Sequence, residues 1–356
     1  MITKFGKRFF TNQIAGNISN LNKDIAIGID YTSATENDTR LGFEFYRLPV
    51  LFGTTDIQTS EGNTTYSVIF KTTIPQDVEG HINEIGLYPS VRSSINNFDS
   101  KFITDFATYT DWTDSEGFKA DYLTGNQRIG NNILLMQSAS SSPNEYIQNT
   151  VNLDISGYSV NDTLRLAYYK QDENLESITI RFYSSDTEYF EKVITPASGT
   201  GNKLTSDILM SDIFNGATVV APDKSSIIKI GITITPSGSE TTYVGFDGLR
   251  INDEDTFDPT FGLVGRSIVT TVTGITGTSG QDTITVDSIN NLFVGQPVSG
   301  TGIGSNALIT SISNTTVTLS VNNSGTVSGN GTFYGIKKIA GRSLDLEYKL
   351  DLDWNI

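Results

Sequence analysis

The sequence predicts an all-β protein made of several β-sandwich domains. Apolar residues alternate with polar residues at a period of two in many short segments, and Gly, Ser, Thr and Asn fill the intervals between them. No strong helical period separates these segments. Hydrophobic residues make up 37% of the 356 residues and charged residues 18%, a balance typical of turn-rich β proteins.

The charge balance and the residue types exclude several classes of function. A net charge of −16 argues against nucleic-acid binding, because a phosphate backbone is bound by clustered Lys and Arg. The absence of cysteine excludes disulfides, thiolate catalysis and cysteine-ligated zinc. The basic start MITKFGKRFF has no apolar stretch behind it, and no window resembles a membrane span. We therefore expect no membrane insertion, and a chain made in a cytoplasm without export.

The N-terminal part of the chain contains three predicted strands. DIAIGIDY, LGFEFYRL and TYSVIFK each place their apolar residues on one face. Turn-rich stretches separate them. In the segment that follows, the apolar phase changes between Ile82 and Ile85, which predicts a β-bulge between these two residues.

Two further β units follow along the chain. We predict a second β-sandwich over residues 100–255, because segments such as TLRLAYYK and IIKIGITIT alternate over longer stretches. A third, small β domain is predicted over residues 271–334, where Lys and Arg are absent. The alternation in TVTLSV gives this domain a core, which argues against a disordered linker.

The C-terminal segment SLDLEYKLDLDW is the most regular strand of the sequence. Leucines and aromatic residues line one face and charged residues line the other, so one face is buried and the other is wet. A single strand cannot be a domain. We predict that residues 1–92, 262–270 and 335–356 form one discontinuous attachment β-sandwich, with the other two units inserted between its strands.

The terminal segments resemble a known family. IGIDYTSATENDTRLGFEFYR, YSVIFKTTIP and INEIGLYP resemble the N-terminal part of bacteriophage tail-fibre, collar and related virion proteins, and IKKIAGRSLDLEYKLDLDW resembles that family's ending. The residues that match the family's closing phrase are Glu84, Ile85, Gly86 and Leu87. The resemblance implies a structural role for them in a small attachment sandwich. The third unit resembles a small β repeat of phage structural proteins.

The second unit resembles the jelly rolls of carbohydrate-binding modules. The similar segments are DFATYTDW, NLDISGYSVNDTLRLAYY and YVGFDGLRIND. The resemblance implies a structural calcium ion between Asp105 and Asp247, although the usual opening glutamate is an aspartate here. The alternative is that both are ordinary turn aspartates.

Two aromatic residues of this unit are candidates for stacking against a sugar. Tyr169 lies on the strand face opposite Leu164 and Leu166, so we expect it to face solvent. Trp112 is the second candidate. The other aromatic residues are expected to pack in cores or across strands.

Each of three polar motifs can be interpreted as a functional site or as a structural feature. His81 and Glu84 could be a base and its orienting group, but nucleophilic catalysis also needs a nucleophile and an oxyanion site. We interpret them as scaffold residues at a strand end.

Gly300–Ser305 (GTGIGS) mimics a phosphate loop but precedes a strand pattern, so we expect turn glycines. Asn252–Asp258 lacks the spacing of a calcium loop and is expected to be a solvated linker. No catalytic residue is predicted.

Taken together, the resemblances imply a phage virion structural protein that is not an enzyme. We expect a tail or neck fibre or adaptor that docks through its terminal domain and projects its other domains towards host-surface polysaccharide. Expected partners are other virion proteins and copies of itself, as a trimer or another symmetric oligomer. Its expected location is the virion tail, neck or capsid surface. A capsid decoration protein and a free glycan-binding module are the alternatives.

Overall fold

A computed structural model describes the protein over residues 22–32, 35, 37–38, 40–60, 63–90, 102–114, 121–123, 127–130, 132–139, 142–218, 220–252 and 269–353. The predicted segment 262–270 and the acidic run after Asn252 lie almost wholly outside these residues. None of the helices in the described ranges is long and apolar enough to cross a membrane.

Strands form almost all of the regular structure, which confirms the all-β prediction. In chain order they are β1 (Asn22–Gly28), β2 (Glu44–Pro49), β3 (Phe52–Ser60), β4 (Asn63–Ile74), β5 (Gly80–Ile82), β6 (Glu84–Ser90), β7 (Phe102–Thr104), β8 (Trp112–Asp114), β9 (Asp121–Leu123), β10 (Ile133–Ser138), β11 (Asn144–Leu153), β12 (Thr163–Lys170), β13 (Leu175–Tyr183), β14 (Tyr189–Ile194), β15 (Gly201–Leu204), β16 (Ile208–Leu209), β17 (Ile227–Pro236), β18 (Thr242–Asn252), β19 (Val269–Val272), β20 (Thr283–Thr285), β21 (Val298–Gly300), β22 (Ile309–Ser313), β23 (Thr316–Leu319), β24 (Gly331–Tyr334), β25 (Ile336–Lys338) and β26 (Leu344–Asp353). A short helix, α1 (Met210–Asn215), and a 3-10 turn at Tyr109–Asp111 accompany them.

The chain forms two compact units. The first contains Met1–Phe98, Asp258–Val269 and Tyr334–Ile356, and the second contains Asp99–Phe257 and Thr270–Phe333. The jelly roll and the small β domain, which the sequence predicts as separate domains, therefore share the second unit. Each of them still has a hydrophobic core of its own.

In the first unit, β1 lies between β2 and β6, and β4 lies between β3 and β26. The last strand pairs with β4 along its whole length, from Leu344 opposite Ile74 to Asp353 opposite Thr65. The core draws on both sheets. Its members include Ile25, Ile27, Phe70, Ile85, Leu87, Leu346 and Tyr348.

The predicted bulge between Ile82 and Ile85 is a change of sheet instead. β5 pairs with β25, whereas β6 pairs with β1. Asn83 stands between the two strands, and its backbone N–H donates to the carbonyl of Gly28 at 2.9 Å. The apolar phase changes at this position because the chain starts to face a different neighbour.

The jelly roll consists of two packed antiparallel sheets. One has the order β15-β12-β18-β10-β9, with β16 and β7 on its flanks, and the other has the order β14-β13-β17-β11-β8. Alternate residues of each strand meet in the core between the sheets; on β13 these are Ile178, Ile180 and Phe182, all fully buried. Thr179, Arg181 and Tyr183, which alternate with them, therefore face away from the core.

The small β domain packs two three-stranded sheets, β19-β24-β21 and β20-β23-β22. Its core is built mainly from Val and Ile, with Phe333 as the largest member. Within the GTGIGS motif, Gly302 has a φ of +81°, and a Cβ there would lie 2.3 Å from the carbonyl oxygen of Thr326. This glycine therefore belongs to a tight turn.

Candidate functional site

The outward side of the sheet β14-β13-β17-β11-β8 carries a cluster of charged and aromatic side chains. We call this surface the outer face. Residues that lie directly opposite one another in an antiparallel pair point to the same side, so the strand register defines its members. They include Glu145 on β11, Thr179, Arg181 and Tyr183 on β13, Tyr189, Glu191 and Val193 on β14, and Lys229, Gly231 and Thr233 on β17.

Arg181 lies at the centre of the outer face. Its Nη1 donates to Oε1 of Glu145 at 2.9 Å, and its Nε donates to Oε2 of Glu191 at 2.6 Å. The guanidinium carbon lies 5.1 Å from the centre of the Tyr189 ring. The Arg181 side chain is 23% exposed, Glu145 20% and Glu191 32%. The network is thus fixed by internal bonds and still reachable from solvent.

Tyr183 extends this network with an aromatic ring and a hydroxyl group. Its hydroxyl donates to Oε1 of Glu145 at 2.6 Å, and its ring centre lies 5.0 Å from that of Tyr189 at an interplanar angle of 57°. Burial raises the pKa of Tyr183, and the adjacent Glu145 carboxylate adds to the rise. The hydroxyl therefore remains a neutral donor at physiological pH.

Gly231 keeps the middle of the outer face open. It lies opposite Arg181 on the neighbouring strand. A Cβ at this position would lie 2.6 Å from Oε1 of Glu145 and 2.9 Å from Cε2 of Tyr183. Any side chain here would displace these groups, so the glycine allows them to converge above β17.

Chemically, the outer face combines donors, acceptors and apolar ring surface within one small area. Carboxylate oxygens accept hydrogen bonds from ligand hydroxyls, a guanidinium donates to ligand oxygens, and tyrosine rings offer an apolar surface with a polar end. The internal bonds hold the side chains in one geometry before a ligand arrives, which lowers the entropy lost on binding. Such a surface suits a ligand with many hydroxyl groups.

Sequence reasoning did not single out Arg181, Glu145 or Glu191. A signal was present in SITIRFY, where Arg181 and Tyr183 occupy alternate positions of a strand whose other positions are apolar. The two glutamates lie on other strands, and only the sheet register brings them to the arginine.

The structure corrects the prediction that Trp112 stacks against a sugar. Trp112 is only 6% exposed and belongs to the core between the two jelly-roll sheets. Its ring stacks on Phe106 at a centroid distance of 5.3 Å. Trp112 is buried because it lies opposite Gln148 on β11 and so points to the same side of the sheet as Tyr146, a fully buried core residue.

Tyr169 lies on the other jelly-roll sheet, partly buried on β12. It lines a small cavity together with Gly201 and Asn202 of the jelly roll and Val294 and Leu308 of the small β domain. A sugar that stacked on Tyr169 would have to share this space with the small β domain. The position therefore favours packing between the two parts of the second unit.

Asp247, one of the two predicted calcium ligands, is buried and already engaged. Its Oδ2 accepts the backbone N–H of Arg128 at 2.8 Å, and its Oδ1 accepts that of Ile129 at 3.2 Å. The Nε of Arg128 lies 3.8 Å from Oδ2. Burial raises the pKa of Asp247 to about 7, the nearby Asp105 adds to the rise, and Arg128 opposes it.

These surroundings do not fit a calcium ion. Calcium takes six to eight oxygen ligands, whereas Asp247 is surrounded by N–H donors and a guanidinium. Asp105 is exposed and accepts the backbone N–H of Ala107 at 3.0 Å. Among the residues that the structure describes, no three His, Asp or Glu side chains are grouped as a metal site would require.

Glu84, the acid of the His81 and Glu84 pair, is buried in the first unit. Its carboxylate accepts the backbone N–H groups of Asp30, Gly42 and Phe43 at 3.2, 2.8 and 2.8 Å. It thus joins both ends of the segment between β1 and β2. Burial raises the pKa of Glu84 to about 8, and the charge of Asp30 adds to the rise, while the three N–H donors oppose it.

The neighbours of Glu84 in the sequence are also in the interior. His81 is 1% exposed and lies opposite Lys337 in the pair of β5 and β25. Ile85 and Leu87 belong to the core of the first unit, and Gly86 lies opposite Ala26 in the sheet. A substrate has no access to a base at His81 in this position.

No family model matches the chain, and no curated protein matches it. Among solved structures, a family 11 carbohydrate-binding module from Clostridium thermocellum, in complex with a β-1,3-1,4-mixed-linked tetrasaccharide, is 15% identical, with a TM-score of 0.33 over 43% of this chain and 95% of the module.

Two further structures show the range of the similarity. A family 30 module of a cellulosomal cellulase from Clostridium thermocellum is 16% identical, with a TM-score of 0.35 over 44% of this chain and 98% of the module. The agarase AgWH50C is 13% identical, with a TM-score of 0.31 over 43% of this chain, which spans only 24% of the agarase. Identities and scores this low assign no function to this chain.

Proposed function

We propose that this protein is a non-catalytic structural protein of a bacteriophage particle and that the outer face of its jelly roll binds a surface polysaccharide. The observation that carries the binding proposal is the network of Arg181 with Glu145, Glu191 and Tyr183 on a solvent-accessible sheet surface. The attachment role of the first unit rests on the resemblance of its segments to virion proteins.

The way in which the two carboxylates are held supports binding without cleavage. Glycoside hydrolysis needs one carboxyl group that donates a proton and a second that acts as nucleophile or base. Glu145 and Glu191 both accept a hydrogen bond from the same guanidinium. Neither is therefore arranged as a proton donor towards a glycosidic oxygen.

The charge of the outer face selects the class of polysaccharide. Glu145, Glu191 and Arg181 leave an excess of negative charge at the centre, because Lys229 on the same face is paired with Asp186, and the whole chain carries −16. A polymer of uronic acids or of sulfated sugars would be repelled. The expected ligand is a neutral polysaccharide with free hydroxyl groups.

The binding proposal is tested with the purified full chain and a set of neutral and acidic polysaccharides. Affinity electrophoresis should show retardation in gels that contain a suitable neutral polymer and none in gels that contain an acidic one. Size-exclusion chromatography of the polymer after incubation should show an unchanged chain length. Shortening of the polymer would show that the protein is an enzyme, and retardation by acidic polymers alone would contradict the charge argument.

The attachment proposal is tested on the phage particle whose genome encodes this chain. A cryo-EM reconstruction should show its density on the tail, baseplate or neck, with the second unit directed outwards. Density at capsid lattice points would instead identify a decoration protein. If the chain is absent from the particle, the attachment role is wrong and a free glycan-binding module is the better interpretation.

A further inference from the structure

The sheet β3-β4-β26 of the first unit has two edge strands that differ in charge. β3 carries one charged residue, Asp56, among its nine. β26 carries five among its ten, namely Asp345, Glu347, Lys349, Asp351 and Asp353. An edge strand presents a row of backbone N–H and C=O groups that another strand can bind, and charged side chains, prolines and bulges oppose this. Charge therefore protects β26 against an added strand and leaves β3 unprotected.

The edges of the other large sheet of the first unit, β2-β1-β6, carry protection of this kind as well. β2 ends in Pro49, and its pairing with β1 skips Phe45. β6 contains Pro89. β3 has no proline, lysine or arginine, and it pairs with β4 without a shift from Phe52 to Ser60. Within the described part of the chain β3 pairs with β4 alone, so its second edge is open.

The middle of β3 shows what kind of strand would fit this edge. Ile57 is 61% exposed, and Gly53 and Thr55, which alternate with it on the same side, are exposed as well. Thr54 and Asp56 lie on the other side and are half-buried. One large apolar side chain, one glycine, two hydroxyl groups and one carboxylate thus follow each other along five residues. This order matches its own reverse.

We propose that β3 pairs antiparallel with β3 of a second copy of this chain, so that the Thr55 residues of the two copies lie directly opposite each other. Ile57 of one copy then covers Gly53 of the other. The Thr54 hydroxyl of one copy lies opposite the Asp56 carboxylate of the other and can donate to it. Directly opposite residues of this kind are the pairs that stabilise a sheet.

The two neighbouring registers fit less well. A centre at Asp56 would set the carboxylates of the two copies opposite each other, and like charges in directly opposite positions are destabilising. A centre at Thr54 would set Asp56 opposite the apolar residue Phe52. The register centred on Thr55 avoids both conflicts.

The pairing joins two three-stranded sheets into one sheet of six strands, which is a common size. The two-fold axis through the Thr55 pair uses the open edges of both copies, so the assembly closes at two chains. The expected oligomer is therefore a dimer rather than a trimer. This inference uses only residues of the first unit and does not depend on polysaccharide binding by the outer face.

The test begins with the mass of the full chain in solution, measured by sedimentation equilibrium, which should be twice that of one chain. Thr55→Lys and Thr55→Glu should each raise the dissociation constant of the dimer by at least about tenfold, because like charges then meet at the axis. An equimolar mixture of the two variants should form dimers again, since a lysine then meets a glutamate. Ser343→Lys, which adds the same charge at an exposed position before β26, should remain dimeric.

Single cysteines test the register, because the chain has no cysteine of its own. Under mild oxidation, Thr55→Cys should form a covalent dimer. Thr54→Cys should stay unlinked, because its α-carbon would lie more than about 7 Å from that of the second copy. Should a charged variant fail to fold, this pair of variants decides.

Three results would overturn the proposal. The first is that the unchanged chain sediments as a monomer or as a trimer. The second is that the mixture of Thr55→Lys and Thr55→Glu dimerises no better than either variant alone. The third is that Thr54→Cys links as completely as Thr55→Cys.

Discussion

Replacement of Arg181 by alanine is expected to weaken polysaccharide binding by at least about tenfold, or roughly 1.4 kcal/mol. The change removes the donor that we propose contacts the ligand and also the bonds that hold Glu145 and Glu191 in place. Two carboxylates would then be left without their shared cation. Isothermal titration of the full chain with the neutral polymer that retards it measures the effect.

The matched control is Arg342→Ala, which removes an exposed arginine of the first unit and should bind as the unchanged protein does. A companion change is Gly231→Ala, whose Cβ would press on Glu145 and Tyr183. It should also reduce the affinity, although alanine itself suits a strand. If Arg181→Ala and Gly231→Ala both keep a folded circular dichroism spectrum and full affinity, the outer face is not the binding site.

Replacement of Glu84 by alanine is expected to lower the free energy of unfolding of the first unit by about 3 kcal/mol. Three backbone N–H groups, those of Asp30, Gly42 and Phe43, would lose their acceptor inside the protein. Urea denaturation monitored for the first unit measures the loss. Glu347→Ala, on an exposed glutamate paired with Lys71, should change stability by less than about 1 kcal/mol.

Glu84 also predicts the direction of a pH dependence. Its pKa is raised to about 8 in the folded protein. At pH values between the pKa of Glu84 in the unfolded chain and about 8, the folded state therefore binds more protons than the unfolded state. The contribution of the Glu84 carboxyl group to the free energy of unfolding is therefore fully present below its pKa in the unfolded chain and is lost as the pH rises through about 8. Glu84→Gln cannot titrate and should remove this decline. Equal pH slopes in the two proteins would contradict the assignment.

The sequence by itself predicted the long alternating strands, such as β12, β13 and β26, but not short ones such as β7, β9 and β16. A period of two is directly visible in a chain, and it requires that alternate residues lie on opposite sides of a sheet. Ile178, Ile180 and Phe182 are buried for this reason. The same reasoning showed that the final strand must complete the sheet of another segment, because its apolar face cannot be covered locally.

The tertiary structure alone decided which of the outward residues meet. Arg181 reaches Glu145 and Glu191 through the pairing of β13 with its neighbours, and Asp247 accepts a hydrogen bond from a residue 119 positions away. Trp112 was wrongly predicted to stack against a sugar because the sequence around an aromatic residue in a short edge strand is the same whether that residue is buried or exposed. Periodicity carries information about faces, whereas the identity of a neighbour depends on strand order and register, which local sequence does not encode.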